Sequence, residues 1–256
     1  MDSRIEPFNS NTTVVLDFYN KVLGLGDTSL IDDILTNEYI QHSPTVKTGK
    51  DGFIEFMSFL KQLPQPKNPV KPFMRLISDE NFVAVHLSIK FMGQQKAVLD
   101  LYRLKDGLLA EHWDASEDIT GFSANPNPVV EGTTTIENIN STEENKNIIH
   151  KYTKHVLLDK SSDLWVDYIS TNLIQHNPKI ENGREALIQY YKKIDVKKVY
   201  RILGEGNFVV TQSEVFFETV PFVVYDIYRL KDKIITEHWS VSQKIPKEMA
   251  HLNGMF

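Results

Sequence analysis

Apolar positions in this chain switch from a helical period to a strand period, and then do so a second time. Val14, Val15, Phe18, Val22 and Leu25 recur at roughly helical spacing, behind Asn11 or Thr12 as a cap and ended by Gly24 to Gly26. A short second helix around Leu30–Leu35 leads into a Tyr39–Pro44 loop, and Asp51–Leu63 reads as a third helix with Phe53, Phe56, Met57 and Leu60 on one side. The period then falls to that of a strand. Arg75–Ile77, Phe82–Phe91, Lys96–Leu104 and Leu108–Ser116 read as strands, and Lys105-Asp106-Gly107 as a hairpin turn in which Gly107 can take positive φ. Helices first and an antiparallel sheet after them predict an α+β unit.

The second passage repeats the first. Tyr102-Arg103-Leu104-Lys105-Asp106, then Glu111-His112-Trp113, returns as Tyr228-Arg229-Leu230-Lys231-Asp232, then Glu237-His238-Trp239, with an aspartate two residues upstream of each, Asp100 and Asp226. From Asn81 onward the offset is 126, whereas upstream, where Ile40-Gln41-His42-Ser43-Pro44 matches Ile174-Gln175-His176-Asn177-Pro178, it is 134. The difference, 134 − 126 = 8, is an eight-residue excess in the first copy, expected within the proline-rich Lys61–Pro72 loop. Arg184–Lys193 is the second copy's third helix. A fixed-offset duplication sets the domain count: a first domain over 1–130, a polar linker over 131–142 and a second domain over 143–256, each long enough for its own core.

Composition narrows the function classes. A formal charge of −6 without a basic stripe argues against nucleic acid. No apolar run reaches membrane-spanning length and the first residues lack a signal peptide's basic and apolar regions, so no membrane partner and a cytoplasmic setting are expected. Absence of cysteine removes disulfides, thiolate nucleophiles and cysteine-type zinc sites. His42, His86, His112 and Asp100 are of metal-ligand type, but no pair has a local metal spacing, and no metal is expected.

Strand alternation places the candidate chemistry. Val98, Asp100, Tyr102 and Leu104 share one face, and Leu99, Leu101 and Arg103 the other. An aspartate inside an apolar strand is costly to bury unless it is hydrogen-bonded or paired, and burial raises its affinity for a proton, as a base working near neutral pH requires. On the preceding strand His86 shares a face with Phe82 and Ala84. On the following one His112 and Asp114 share a face and Trp113 takes the other. His42 stands where the second helix enters its loop. Each of these has a plain structural reading beside the functional one: Asp100 and Asp226 tied to Tyr, Trp or Arg, Glu-His-Trp as a packing signature, and Gln-His-x-Pro as a loop cap.

Ile-Gln-His-x-Pro after the second helix, with Asp-x-Tyr-Arg-Leu-x-Asp-Gly-x-x-x-Glu-His-Trp-Asp at the end of the unit, resembles the SnoaL-like family of the nuclear transport factor 2-like superfamily. The branch it is similar to is the one described as predicted aldol-condensation and polyketide cyclase-like enzymes, which the Asn253-Gly254-Met255-Phe256 ending also resembles. The resemblance covers nearly all of both copies. It implies an α+β chain of two tandem cone-shaped domains, each with about three helices on a curved, mostly antiparallel sheet, paired through their sheets as an intrachain pseudo-dimer. Leu99, Leu101, Val223 and Ile227 are the apolar residues expected on the paired faces.

The same resemblance implies the roles. Asp100 acts as acid/base on a small apolar carbonyl compound with no cofactor or metal, and His86, the histidine near it, bonds the developing enolate oxygen together with His112 or His42. Tyr102, Trp113 and Asp114 join the ligand-binding set with His42, and His176, Asp226, Tyr228 and His238 are their counterparts in the second copy. There His86 becomes Gln212, which donates a hydrogen bond but takes up no proton, and Asp114 becomes Ser240, so the first copy is the better candidate for chemistry. A non-catalytic small-molecule binder and an interaction module working through a sheet surface are the rival readings. The Pro64–Pro72 segment is a candidate cover for the first pocket.

Overall fold

The computed structural model describes residues 10–64 and 72–256. In the first copy α1 (Ser10–Asp17) runs on into a π-helical stretch (Phe18–Leu23), followed by α2 (Ile31–Ile34), β1 (Leu35–Gln41), α3 (Gly49–Gln62), β2 (Met74–Asp79), β3 (Phe82–Phe91), β4 (Gln94–Lys105) and β5 (Leu108–Asp118). The second copy repeats the order with α4 (Thr142–Tyr152) and its π-helical stretch (Thr153–Leu158), α5 (Trp165–Tyr168), β6 (Ile169–Gln175), α6 (Arg184–Tyr191), β7 (Ile194–Glu205), β8 (Phe208–Phe217), β9 (Val220–Lys231) and β10 (Ile234–Lys244). Each copy forms a five-stranded sheet, ordered β1-β5-β4-β3-β2 and β6-β10-β9-β8-β7. The fold is α+β in tandem, antiparallel except where β1 and β6 run parallel to β5 and β10.

Two expectations need correction. The stretch from Leu35 to Gln41 is a strand, not the lead into a loop: Leu35, Tyr39 and Gln41 are buried while Asn37 and Glu38 face out, and this polar middle hid the period. The extra length of the first copy is not confined to a loop. Its α3 has 14 residues against eight in α6, whereas β7 has 12 against six in β2, so the second copy spends as strand what the first spends as helix. Residues 65–71 of the expected loop, including most of the candidate pocket cover, lie outside the described residues.

Each sheet has two buried faces with different duties. Val83, Val85, Leu87, Val98, Tyr102 and Leu104 turn toward Val15, Phe18, Val22, Phe53 and Met57 of the helices. The opposite face packs sheet on sheet. Leu99, Leu101, Trp113 and Ala115 of the first copy meet Val210, Val223, Tyr225, Ile227, Trp239 and Val241 of the second in one apolar cluster. Burying aromatic and branched side chains across this plane makes it the main cohesive contact between the copies.

Polar locks repeat with the pseudo-symmetry of that contact. Arg201 lies 4.1 Å over the Trp113 ring while His42 stacks on it at 4.6 Å, so these flat groups take opposite faces of the indole. Arg75 and His176 hold Trp239 in the same way, at 4.1 and 4.5 Å. His42 Nε2 lies 2.8 Å from Glu111 and Nδ1 3.0 Å from the Gly254 carbonyl; His176 repeats the pair of contacts with Glu237 (2.9 Å) and the Pro128 carbonyl (2.6 Å). Glu111 and Glu237 are in turn gripped by Arg103 and Arg229. The segment after each sheet therefore crosses to the other copy: the Ala124 amide donates to Pro178 and the Ala250 amide to Pro44, each at 2.8 Å.

Candidate functional site

The first copy holds a half-open cavity of about 530 Å³ between its sheet and helices, a size suited to a small organic ligand. Phe18, Phe53, Leu87 and Val98 supply apolar wall; Tyr19, Tyr39, Tyr102, Asp100, His112 and Asp114 supply the polar groups. Register brings the last three together, because Asp100 stands opposite Asp114 and Tyr102 opposite His112 across the β4–β5 ladder. Tyr19 reaches them from the π-helical turn, closed by the Gly24 amide on the Tyr19 carbonyl (2.9 Å). A Cβ on Gly24 would stand 2.8 Å from the Asn20 carbonyl oxygen and 2.9 Å from that of Tyr19, a crowding that glycine avoids here, although the second copy closes the same turn with the Asp159 amide on the Lys154 carbonyl.

Asp100 is the centre of a hydrogen-bond chain. The Tyr19 hydroxyl donates to Oδ2, Tyr102 donates to the Tyr19 oxygen at 3.3 Å, and His112 Nε2 lies 3.2 Å from Oδ1. On the far side of the imidazole, Nδ1 is 2.9 Å from Gln41 Oε1. That oxygen also accepts the His42 and Ser43 backbone amides at 2.9 and 2.8 Å, which fixes the glutamine amide and makes it an acceptor toward His112. His112 must therefore carry a proton on Nδ1. Its Nε2 faces Asp100 Oδ1, the contact through which a proton can pass between the two groups. The Tyr102 ring stacks on His112 at 4.6 Å and restrains its tilt.

Asp114 is the second carboxyl of the floor. Burial pushes its pKa up to about 6, with the neighbouring Asp100 charge acting in the same direction and His112 and the Ser43 hydroxyl opposing. Ser43 Oγ donates to Oδ2 at 3.1 Å, and Oδ1 is buried with no partner. Burial first, then the Asp100 charge, raises the Tyr19 and Tyr102 hydroxyls well above their ordinary range, so both are protonated donors at neutral pH.

The structure divides the sequence-predicted residues between this cavity and the copy interface. Asp100, His112, Tyr102 and Asp114 meet in the cavity. His86 does not: it stands opposite Leu99, on the other face from Asp100, and Arg75 Nη1 donates to its Nδ1 at 2.8 Å inside the interface. Burial and the Arg75 charge depress its pKa well below the ordinary histidine value, and its buried Nε2 has no partner. It is not the histidine beside the aspartate. His42, His176 and Trp113 also belong to the interface, where both ring nitrogens of each histidine are engaged. Tyr19 and Gln41 were not singled out in the sequence. Tyr19 sits off the helical stripe, and the pairing of Gln41 with His112 needs the unforeseen β1–β5 contact.

In the second copy Asp226 and His238 stand 3.0 Å apart, and Gln175 Oε1 faces His238 Nδ1 at 3.1 Å while accepting the Asn177 amide. Tyr228 stacks on His238 as Tyr102 does on His112. The surroundings differ. Thr153 replaces Tyr19, Asn177 bonded to Ser240 replaces Ser43 bonded to Asp114, and Tyr190, Phe217 and Phe222 stand in place of Phe56, Phe91 and Lys96. The Phe217 and Phe222 rings pack edge to face at 4.8 Å, with Tyr190 against Phe217 at 6.3 Å. Among the described residues no three His, Cys, Asp or Glu side chains of either copy converge as a metal site. No helix among them is long and apolar enough to cross a membrane.

The profile of a family described as SnoaL-like polyketide cyclase matches residues 13–123. Solved structures similar to single copies include TsrD from Streptomyces laurentii (17% identity, 44% of this chain and 92% of that one, TM-score 0.36). Others are an LEH-like epoxide hydrolase of M. tuberculosis (17%, 40% and 85%, 0.35) and an NTF2-like protein of unknown function from Cytophaga hutchinsonii (16%, 44% and 95%, 0.36). No curated protein matches the chain.

Proposed function

A SnoaL-like chain in tandem duplicate has two cones available, and we propose that the first performs acid/base proton transfer on a small, largely apolar carbonyl compound, without cofactor or metal. The observation that supports this reading is the Asp100–His112 pair, 3.2 Å apart at the floor of a largely apolar cavity, with the Tyr19 hydroxyl on the other carboxylate oxygen. Asp100 takes a proton from the carbon next to the ligand carbonyl. The C–H electrons form the C=C bond and the carbonyl oxygen becomes an enolate. Tyr19 and His112 are the donors beside the charge developing there, in a site with largely apolar walls. Return of the proton at another carbon completes an isomerisation, and attack of the enolate carbon on a second carbonyl, with Asp100 returning its proton to the alkoxide formed, completes an aldol closure.

The minimal test is solvent deuterium exchange into the methyl groups of para-diacetylbenzene in D₂O, followed by NMR. Wild-type protein is expected to accelerate the exchange and Asp100→Asn to lose at least about a hundredfold of that acceleration, the range for one positioned general base. Equal rates with and without the Asp100 carboxylate would end the proton-transfer reading in favour of a binding protein.

A further inference from the structure

The cavity of the first copy is not closed by that copy alone. Among its described lining residues, Gln243 comes from β10 of the second. Its Oε1 accepts the Ser116 backbone amide at 2.8 Å, a group on the stretch of β5 beyond the last residue paired with β1. That bond fixes the side-chain amide. With the oxygen committed to Ser116, the nitrogen has no partner among the described residues, so a two-hydrogen donor is left at the cavity wall.

The pseudo-symmetric position shows what such a residue does when no ligand is to be met. Glu117 of the first copy reaches the Ser242 amide at 3.2 Å and its hydroxyl at 2.9 Å, repeating the Gln243–Ser116 contact. Its other oxygen is paired with Lys179, which fills the place that Thr45 holds on the wall of the first cavity. The second copy thus closes this corner with an ion pair. The first leaves it neutral, open and one donor in excess.

Resting on the proton-transfer reading above, we propose that Gln243, supplied by the second copy, is a specificity-determining residue of the first copy's cavity. It donates from its amide nitrogen to a second oxygen on a ligand whose reacting carbonyl lies at Asp100 and His112. Ser116 is two residues along β5 from Asp114, the partner of Asp100, so the two oxygens of the ligand stand roughly 7 Å apart along the strand. The substrate class is an elongated compound with an oxygen acceptor at each end and an apolar middle.

Two probes of the same outline isolate this contact: para-diacetylbenzene, with a carbonyl at each end, and para-isopropylacetophenone, with one. Their dissociation constants are measured calorimetrically for wild type and Gln243→Glu. The glutamate retains the acceptor for the Ser116 amide, as Glu117 does for Ser242, but replaces the donor with an acceptor. Affinity for the dicarbonyl is expected to fall about tenfold, as loss of one hydrogen bond predicts, with the monocarbonyl changed less than about twofold. Gln243→Met, which removes both ends of the amide, serves as the second variant and is expected to show the same loss of discrimination. An unchanged ratio of the two affinities in both variants overturns the inference, even if Asp100→Asn abolishes methyl exchange. A collapsed ratio with methyl exchange indifferent to Asp100→Asn keeps the Gln243 contact and removes the proton-transfer reading. Failure of wild type to bind either probe overturns both.

Discussion

Asp100 and Asp226 occupy the same place on equivalent strands, each facing a histidine whose other nitrogen is held by a glutamine. Around Asp100 there is a cavity, a tyrosine donor and a second carboxyl. Around Asp226 there are a threonine, an Asn–Ser bond and three aromatic rings. The interface behind both is nearly the same in each direction, with Arg–Trp–His stacks of matching dimensions and exchanged terminal segments. A duplicated Asp-His pair is therefore compatible with packing alone, and what distinguishes a reactive pair is the space and donors left in front of it. The Glu-His-Trp signature combines both duties: its Glu and Trp serve the interface, and its His turns inward.

The shared half of that comparison is tested by Trp113→Ala and Trp239→Ala. Each removes a fully buried indole flanked by arginine and histidine, and each is expected to cost about 3–5 kcal/mol in denaturant unfolding, with the two values close together. A large cost on one side only would show that the interface symmetry is geometric and not energetic.

The differing half is tested first by pH. The folded chain keeps Asp114 protonated up to about pH 6, whereas the unfolded chain ionises it near 3.8, the ordinary aspartate value. Its stabilising contribution is complete below that lower value and is lost as pH rises through about 6, a decline of up to about 3 kcal/mol. Asp114→Asn should lack this decline, so the variant gains on wild type between pH 4 and 7 in parallel denaturation curves. Glu237, held at about 2 against burial by hydrogen bonds from His176 and Arg229, has the opposite sign, with stability present above the ordinary glutamate range and lost as pH falls toward 2. Taking the difference between variant and wild type separates the two.

Asp226→Asn provides the activity contrast. Methyl exchange of para-diacetylbenzene should stay within about twofold of wild type per folded molecule, against the hundredfold loss for Asp100→Asn. Smallest of all is Glu117→Gln. It breaks a partly exposed ion pair with Lys179 and is expected to cost less than about 1 kcal/mol by thermal unfolding.

Much of this was legible in the chain because strands alternate strictly. The faces of Asp100, Tyr102, His112, Asp114 and Trp113 followed from period two, and the repeat supplied the second sheet. Pairing register was not legible. His86 looked like a partner for Asp100 on a neighbouring strand, but it pairs with Leu99, one residue away, and one residue reverses the face. The π turn that delivers Tyr19 breaks the 3.6-residue period on which helix reading depends, and Leu25, placed on that stripe, is 80% exposed. Gln41 and Gln243 act through a parallel strand and through the other copy, contacts that no local pattern encodes.

The most direct measurement counts and locates binding sites. Para-diacetylbenzene would be titrated into the full chain by calorimetry, while methyl NMR follows Met74 and Ile89 at the first cavity and Ile180 and Ile188 in the second copy's core. One site per chain, with shifts at Met74 and Ile89 and none at Ile180 and Ile188, is the predicted result. Two equivalent sites, or shifts appearing first in the second copy, would contradict the division of labour between the copies.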